Sequence, residues 1–226
     1  MFACSKPIST KEDLIEVLER FGFLPLFANS IPGFSVEEHV DPAVWFTDQE
    51  GVWEWKGPVI RQSGCAYGKL LEKKAVFVSR AWYPDLANLR RDGYDFDARF
   101  DDGLASRREK GLYDLIEQAG PIRSKELKKL GNYGPKGNKG FDGLITRLQL
   151  LGYVVISDFV YDLDRYGRPY GWGRAEYATA EQRFGPDFAE TVYCRSPEAS
   201  MQRLLDHFCT LFPQEDPKKL ARILRG

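Results

Sequence analysis

One segment, Gly111–Phe184, limits what this chain can fold into, because its apolar spacing predicts short helices followed by two strands. The first helix has four apolar residues at helical spacing: Leu112, Leu115, Ile116 and Ala119. Gly120 follows and adopts left-handed backbone easily, so we predict that the helix ends there.

Two further helices are predicted after it. Ser124 can cap a helix over Ser124–Leu130 that turns Leu127 and Leu130 inward. The loop 131–140 is too rich in Gly, Pro and Asn to be helical. The third helix ends at Gly152, and its inward residues are Phe141, Leu144, Ile145, Leu148 and Leu151. Its predicted outer residues are Asp142, Thr146, Arg147 and Gln149.

β-branched and aromatic residues predict strands over 153–159 and 175–179. Between them lies a basic segment, Asp164–Arg174. Three helices followed by a basic hairpin is the arrangement of a winged helix. There the third helix can enter a major groove while the wing lies along the DNA backbone.

The local charge favours a nucleic-acid partner. Residues 121–149 contain seven Lys or Arg and two acids, a local charge of +5 in a chain whose net charge is −1. We predict that seven residues bind double-stranded DNA, including damaged duplexes: Ser124, Lys125, Lys136, Lys139, Arg147, Arg165 and Arg168. Lys-rich helices are also often solvated, and winged helices also serve as protein-protein modules, so both alternatives stay open.

The composition indicates a folded chain. It has 226 residues, 43% of them hydrophobic and 14% aromatic, which excludes a disordered protein. No run approaches the roughly 20 apolar residues of a membrane-spanning helix, and no signal peptide is recognisable, so we expect a cytoplasmic protein without membrane contact. The four cysteines have no CxxC spacing, there are two histidines, and no phosphate-binding glycine loop occurs. We therefore predict no metal site and no cofactor.

The predicted fold class is α+β, with three parts along the chain. An aromatic-rich N-terminal α+β region occupies residues 1–105, the winged helix occupies 106–185, and C-terminal helices in 186–226 pack back on the rest. A helix after Ser196 carries an apolar stripe that is expected to face the first half, although it could also face a partner: Met201, Leu204, Leu205, Phe208 and Phe212.

Acidic residues of the first half allow several interpretations. Residues 37–54 contain six acids and no Lys or Arg, so this face should repel a duplex. Tryptophans in the same half (Trp45, Trp53, Trp55 and Trp82) could stack on an extruded base, but large rings are more often core. Four aspartates within 90–103 (Asp95, Asp97, Asp101 and Asp102) could supply a general base or bind magnesium. We favour a solvated connector for 90–103.

Two stretches resemble the winged-helix DNA glycosylases of the AlkZ and YcaQ type: Ala75–Arg90, and Ile116–Leu127 with the third helix and wing that follow. The resemblance covers about Val44 to Phe184 and implies excision of alkylated or cross-linked bases. The family uses a Gln-aliphatic-Gln or Gln-aliphatic-Asp motif to position the attacking water. By order along the chain this motif should fall near Phe23–Phe27, where Leu24 and Leu26 offer no polar atom. No family catalytic residue can therefore be assigned, and Glu54, Asp95 or Asp97 could substitute.

The sequence thus predicts a winged-helix DNA-binding protein resembling DNA-repair glycosylases, with its catalytic ability open. The alternative is a non-catalytic winged-helix transcriptional regulator or protein-interaction module. A regulator would usually dimerise, and the helix Ser196–Phe212 is its candidate contact.

Overall fold

A computed structural model describes residues 7–45 and 50–226. The fold is mixed α+β with two small antiparallel sheets, as the predicted class requires. The N-terminal part contains α1 (Lys11–Phe21), β1 (Phe23–Pro25), a 3₁₀ turn (Pro42–Val44), α2 (Val52–Ser63), β2 (Ala66–Leu71) and β3 (Lys74–Val78). Thr10 and Asp13 form a capping box at α1, and Gly22 ends this helix with a φ of 79°.

The first sheet has the order β1-β3-β2. Pro25 pairs with Val76 on the edge strand β1, where a residue without an N–H is tolerated. β2 and β3 are joined by Glu72 and Lys73, both at positive φ (48° and 59°), as a tight hairpin turn requires. β3 is the central strand of this sheet.

The segment predicted as a solvated connector begins with two buried arginines, so that part of the prediction is wrong. Arg90 and Arg91 end α3 (Tyr83–Arg91) and are 8% and 1% exposed. Carbonyl groups and Glu181 surround them, which offsets the cost of burying charge. A short helix, α4 (Phe96–Asp101), follows and buries Phe96.

The central part contains α5 (Arg107–Ala119), β4 (Ile122–Arg123), α6 (Ser124–Leu130), α7 (Phe141–Leu150), β5 (Val154–Leu163) and β6 (Pro169–Thr179). Its sheet has the order β4-β6-β5. All three predicted helices of this part are present. The first begins one turn earlier than Gly111, because Ser106 and Glu109 form a capping box.

Four details of the central part differ from the sequence prediction. Ala119 and Leu130 are exposed, because each is the last residue of its helix and no further turn follows it there. Ser124 is the first residue of α6, and Arg123 holds the capping position because it still belongs to β4.

Gln149 is buried, not on the outer face: its Oε1 accepts from Lys69 N (2.9 Å), and its Nε2 donates to Ile145 O (3.0 Å). This amide attaches α7 to β2.

The hairpin β5–β6 is longer than predicted. Within the segment predicted as the wing, residues 169–174 belong to β6 and residues 164–168 form the turn. Asp164 Oδ1 accepts from Tyr166 N and Arg168 N, and Gly167 adopts a φ of 76°. The glycines that indicated a loop, Gly171 and Gly173, lie inside β6. The strand register shifts twice along β5, a pattern that bends strands and redirects side chains.

The C-terminal helices are α8 (Ala180–Phe184), α9 (Phe188–Val192), α10 (Pro197–Leu211) and α11 (Pro217–Arg225). Ser196 caps α10 as predicted, and Leu204 and Phe208 are fully buried against the N-terminal part. The prediction that this stripe packs back onto the first half is confirmed. One buried cluster joins residues from Ile8 to Tyr177, and a second joins residues from Phe21 to Leu224. Within the described ranges, no helix is long and apolar enough to cross a membrane.

Candidate nucleic-acid interface

A pocket of about 380 Å³ lies between α2 and the hairpin. Its lining is aromatic apart from one amine and one glycine: Trp53, Lys56, Phe159, Tyr161, Trp172 and Gly173. Two of these residues come from α2 and four from β5 and β6, so the pocket exists only where the helix meets the hairpin.

Close packing of α2 on β5 forms one wall of this pocket. Gly57 allows the approach, since a Cβ atom there would lie 3.0 Å from Asp158 Oδ1. Arg61 donates to Asp158 and ties the same turn of α2 to the strand. The contact places Trp53 and Lys56 opposite Phe159 and Tyr161.

The hairpin supplies the rest of the lining. A Cβ atom on Gly173 would lie 3.1 Å from the Tyr161 ring and 3.2 Å from Phe159 Cβ, so the absence of a side chain keeps the pocket open. Trp172 is 70% exposed, and its ring centroid lies 6.1 Å from that of Trp53 at 76° between planes. A largely exposed ring beside a half-buried one leaves room for a third flat group.

Among the lining residues that the structure describes, Lys56 is the only one with a titratable amine, and it is 8% exposed. Its Nζ lies 4.2 Å from the ring centroids of both Trp53 and Phe159. Burial lowers the pKa of Lys56 to about 8, and the charge of Glu54 partly opposes this shift. Ring faces attract the ammonium form but do not replace its lost water.

Lys56→Met is expected to stabilise the protein by about 1–2 kcal/mol at pH 7, because it removes a desolvated charge and keeps the buried volume. The native pKa lies below that of the unfolded chain, so the penalty is complete below pH 8 and disappears as pH rises towards 10.5. The gain should shrink over the same range. Urea denaturation of both proteins across this range measures it, with the exposed Lys69→Met as control. A loss of stability would instead make the amine a structural requirement.

The predicted DNA-binding residues fall into separate groups. The charge of Lys125 acts on Asp162, the next-to-last residue of β5, whose Oδ2 accepts from Arg174 Nη2 at 2.8 Å. The Arg174 hydrogen bond lowers the pKa of Asp162, and the charges of Arg174, Lys125 and Arg123 add to the shift. These contacts place the start of α6 beside the hairpin.

A second group lies around the start of α5. Arg147, on the exposed face of α7, donates to Glu109, and Arg108 donates to the carbonyl oxygen of Lys139. Lys139 Nζ also donates to Gly134 O (2.9 Å) and Pro135 O (2.5 Å), so this side chain helps to hold the loop in shape. Lys136 is exposed in the same loop, and Ser124 is half-buried at the start of α6.

The turn of the hairpin carries the last two predicted residues. The guanidinium carbons of Arg165 and Arg168 lie 4.6 Å and 5.8 Å from the centroid of the Tyr166 ring. Tyr166 is 67% exposed, so the turn presents one ring and two cations to solvent.

The sequence matches the profile of the family described as AlkZ related over residues 8–225. The chain belongs to the AlkZ-related family. No curated protein and no solved structure matches it. Membership indicates a DNA-repair protein of glycosylase-like type and DNA as its substrate.

In this AlkZ-related chain, the stretch aligned by order with the glycosylase motif is core. Phe23, Leu24 and Leu26 are at most 1% exposed. Two acids considered as substitutes have structural partners: Asp95 Oδ1 accepts from Ala98 N at the start of α4, and Asp97 forms an ion pair with Lys110 at 2.8 Å. Glu54 lies nearer the pocket, since its charge acts on the pKa of both Lys56 and Tyr161. Residues 7–45 and 50–226 contain no group of three or more His, Cys, Asp or Glu that could hold a metal ion.

From the sequence of this AlkZ-related protein, Trp53 was one of four tryptophans that could stack on a base, although a core role was favoured, and the rest of the pocket lining was not named. Lys56 was missed because α2 itself was not predicted. The spacing of Trp53 and Lys56, three residues apart on one helix face, is the signal that could have found it. Trp45 and Trp55, the other candidates for base stacking in this stretch, are 9% and 4% exposed and belong to the core.

Proposed function

We propose that the chain binds double-stranded DNA through a winged helix formed by residues 106–185. The order of elements supports this proposal: α5, β4, α6 and α7 are followed by the hairpin, and β4 pairs with β6. We also propose the division of the chain at residues 105 and 185 that the sequence predicts.

Because Gln149 is buried, fewer residues of α7 are available to contact DNA. Its exposed residues are Asp142, Gly143 and Arg147, with Thr146 half-buried. We therefore propose that α7 contacts DNA through Thr146 and Arg147, and that the lysines of α6 and the loop bind phosphates. The cations of the hairpin turn, Arg165 and Arg168, would bind the backbone farther along the duplex.

The second part of the proposal is that the aromatic pocket accepts one unpaired or extruded base. Trp172 stands exposed at its mouth, and Trp53, Phe159 and Tyr161 form its walls. Stacking of a base on such rings is worth roughly 1–3 kcal/mol and needs no particular base. The position beside the hairpin is the observation that supports it, since an element that follows the backbone would bring a displaced base to the pocket.

Salt dependence tests the phosphate contacts. If about five of the predicted cations bind phosphates, log affinity for a duplex should fall against log salt concentration with a slope of about −4 to −5. Fluorescence anisotropy of a labelled duplex between low and physiological salt measures this slope. Lys125→Gln should reduce its magnitude by about one, and Lys69→Gln, on the exposed side of β2, should leave it unchanged. A slope near zero would contradict the proposal.

Base excision is a second candidate function, favoured by the family and by the position of Glu54. Glu54 Oε2 accepts from Gly51 N at 3.0 Å and so is held at the start of α2. A carboxylate there could act as the general base for water. Release of a modified base from an alkylated duplex, lost in Glu54→Gln, would assign this activity. Release that Glu54→Gln does not change would exclude Glu54 as the base.

The regulator alternative has less support. The helix expected to form its dimer contact, α10, has its Leu204 and Phe208 stripe buried within the chain. A dimer formed through α10 would have to unpack this stripe.

A further inference from the structure

Lys56 places a primary amine against the aromatic pocket. The side chain is 8% exposed and lines the cavity, and its Nζ lies between the faces of Trp53 and Phe159. Among the described residues, no carboxylate forms an ion pair with it. The two ring faces only partly replace the water that the ammonium form loses on burial, so the neutral amine is more favoured here than on an exposed lysine.

A neutral amine is a nucleophile, and carbonyl carbons are its usual targets. With its pKa lowered to about 8, about half of the Lys56 side chains are neutral at pH 8. An ordinary lysine with a pKa near 10.4 is neutral in only about 0.4% of molecules at that pH. The pocket therefore contains a carbonyl-reactive amine, Lys56, and aromatic walls that can stack on flat or apolar groups.

We propose that Lys56 forms an imine with the aldehyde of an abasic site, the open-chain deoxyribose left in DNA where a base is missing. The inference rests on the proposed function, because the hairpin must lie along the duplex for this sugar to reach the pocket. The inference extends the proposed function, because a pocket large enough for an extruded base also has room for a deoxyribose that has lost its base.

The step balances without an oxidant or reductant. The Nζ lone pair adds to the C1′ carbonyl carbon, and a proton passes from nitrogen to the carbonyl oxygen to give a carbinolamine. The hydroxyl group and the second proton of the nitrogen then leave together as water when the C=N bond forms. One amine and one aldehyde thus become one imine and one water, and hydrolysis of the imine restores Lys56.

Reductive trapping tests the proposal. The full chain is incubated with a duplex containing one abasic site and sodium cyanoborohydride, which reduces an imine to a stable amine. The expected result is a covalent protein-DNA adduct, with peptide mass spectrometry locating the sugar on Lys56. Lys56→Arg keeps the charge but not the neutral amine, and it should lower the yield at least about 20-fold, as should Lys56→Gln. Lys69→Gln, at an exposed lysine, should trap as well as wild type.

The pH profile distinguishes this amine from exposed lysines. The initial trapping rate should rise with pH up to about 8, where half of the Lys56 side chains are neutral, and should not rise above that pH, because loss of the hydroxyl group and reduction of the imine both need a proton. A rate that continues to rise towards pH 10, or an adduct on another lysine, would overturn the inference.

The experiment distinguishes a failure of the DNA-binding proposal from a failure of the imine proposal. Binding of the abasic duplex without an adduct would overturn the imine and leave the DNA-binding proposal in place. Absence of binding to intact and abasic duplexes alike would overturn both.

Discussion

Replacing Arg91 with methionine is expected to lower the free energy of unfolding by about 3–5 kcal/mol, because it removes the charged centre of a buried network. Arg91 Nη2 donates to Gly152 O at 2.8 Å, and Nη1 donates to Glu181 Oε1 at 2.6 Å. Its guanidinium carbon lies 4.5 Å from the centroid of the Tyr153 ring. The side chain thus joins α3 to the turn between α7 and β5 and to α8.

Two further variants separate the parts of this effect. Arg91→Lys keeps the positive charge, but a single ammonium group cannot replace the two guanidinium nitrogens that donate to Gly152 and Glu181. We therefore expect an intermediate loss of about 1–3 kcal/mol in the free energy of unfolding. Arg107→Met, at an exposed arginine in the first turn of α5, should change stability by less than about 0.5 kcal/mol. Urea denaturation measures all three. A loss below about 1 kcal/mol for Arg91→Met would show that the network contributes little.

Trp172→Ala is expected to weaken binding to a duplex with one unpaired base by about 5- to 150-fold, which corresponds to the roughly 1–3 kcal/mol of one stacked base. Trp172 is 70% exposed, so its removal should leave the stability of the protein almost unchanged. Affinity for a fully paired duplex should fall much less, because a paired base does not enter the pocket. Anisotropy with both duplexes at one salt concentration measures the ratio.

Tyr166→Ala provides the matched control. Tyr166 is similarly exposed on the same hairpin, but it lies at the turn and outside the pocket lining. Its loss should lower both affinities by a similar factor and leave their ratio unchanged. An equal loss for both duplexes in Trp172→Ala would contradict a role for the pocket in holding a base.

Local signals predicted much of the secondary structure. Thr10 and Asp13 mark the start of α1, Gly22 marks its end, and Ser196 followed by Pro197 marks the start of α10. Each is a short-range device, in which a side chain or a special backbone angle satisfies a helix end within a few residues. Such devices can be recognised without knowledge of the rest of the fold.

Long-range contacts account for what the sequence did not predict. Pro58 interrupts the helical pattern of α2, yet the helix continues through it because packing on β5 supports that turn. Gln149 looked like a surface residue because an amide is usually exposed, but its partner is Lys69 N, far away in sequence. The pocket joins Lys56 to Phe159 and Trp172, which no local pattern can place together.

The shared wall between α2 and the hairpin has a consequence for how the protein can be divided. Expressed alone, residues 106–185 would retain Phe159, Tyr161 and Trp172 but would lack the half of the pocket that carries Trp53 and Lys56. If the proposed function is right, such a fragment would keep the cations proposed to bind phosphates but would lack half of the proposed base pocket. We therefore expect it to bind intact duplexes and duplexes with an unpaired base with similar affinity, whereas the whole chain should prefer the unpaired base.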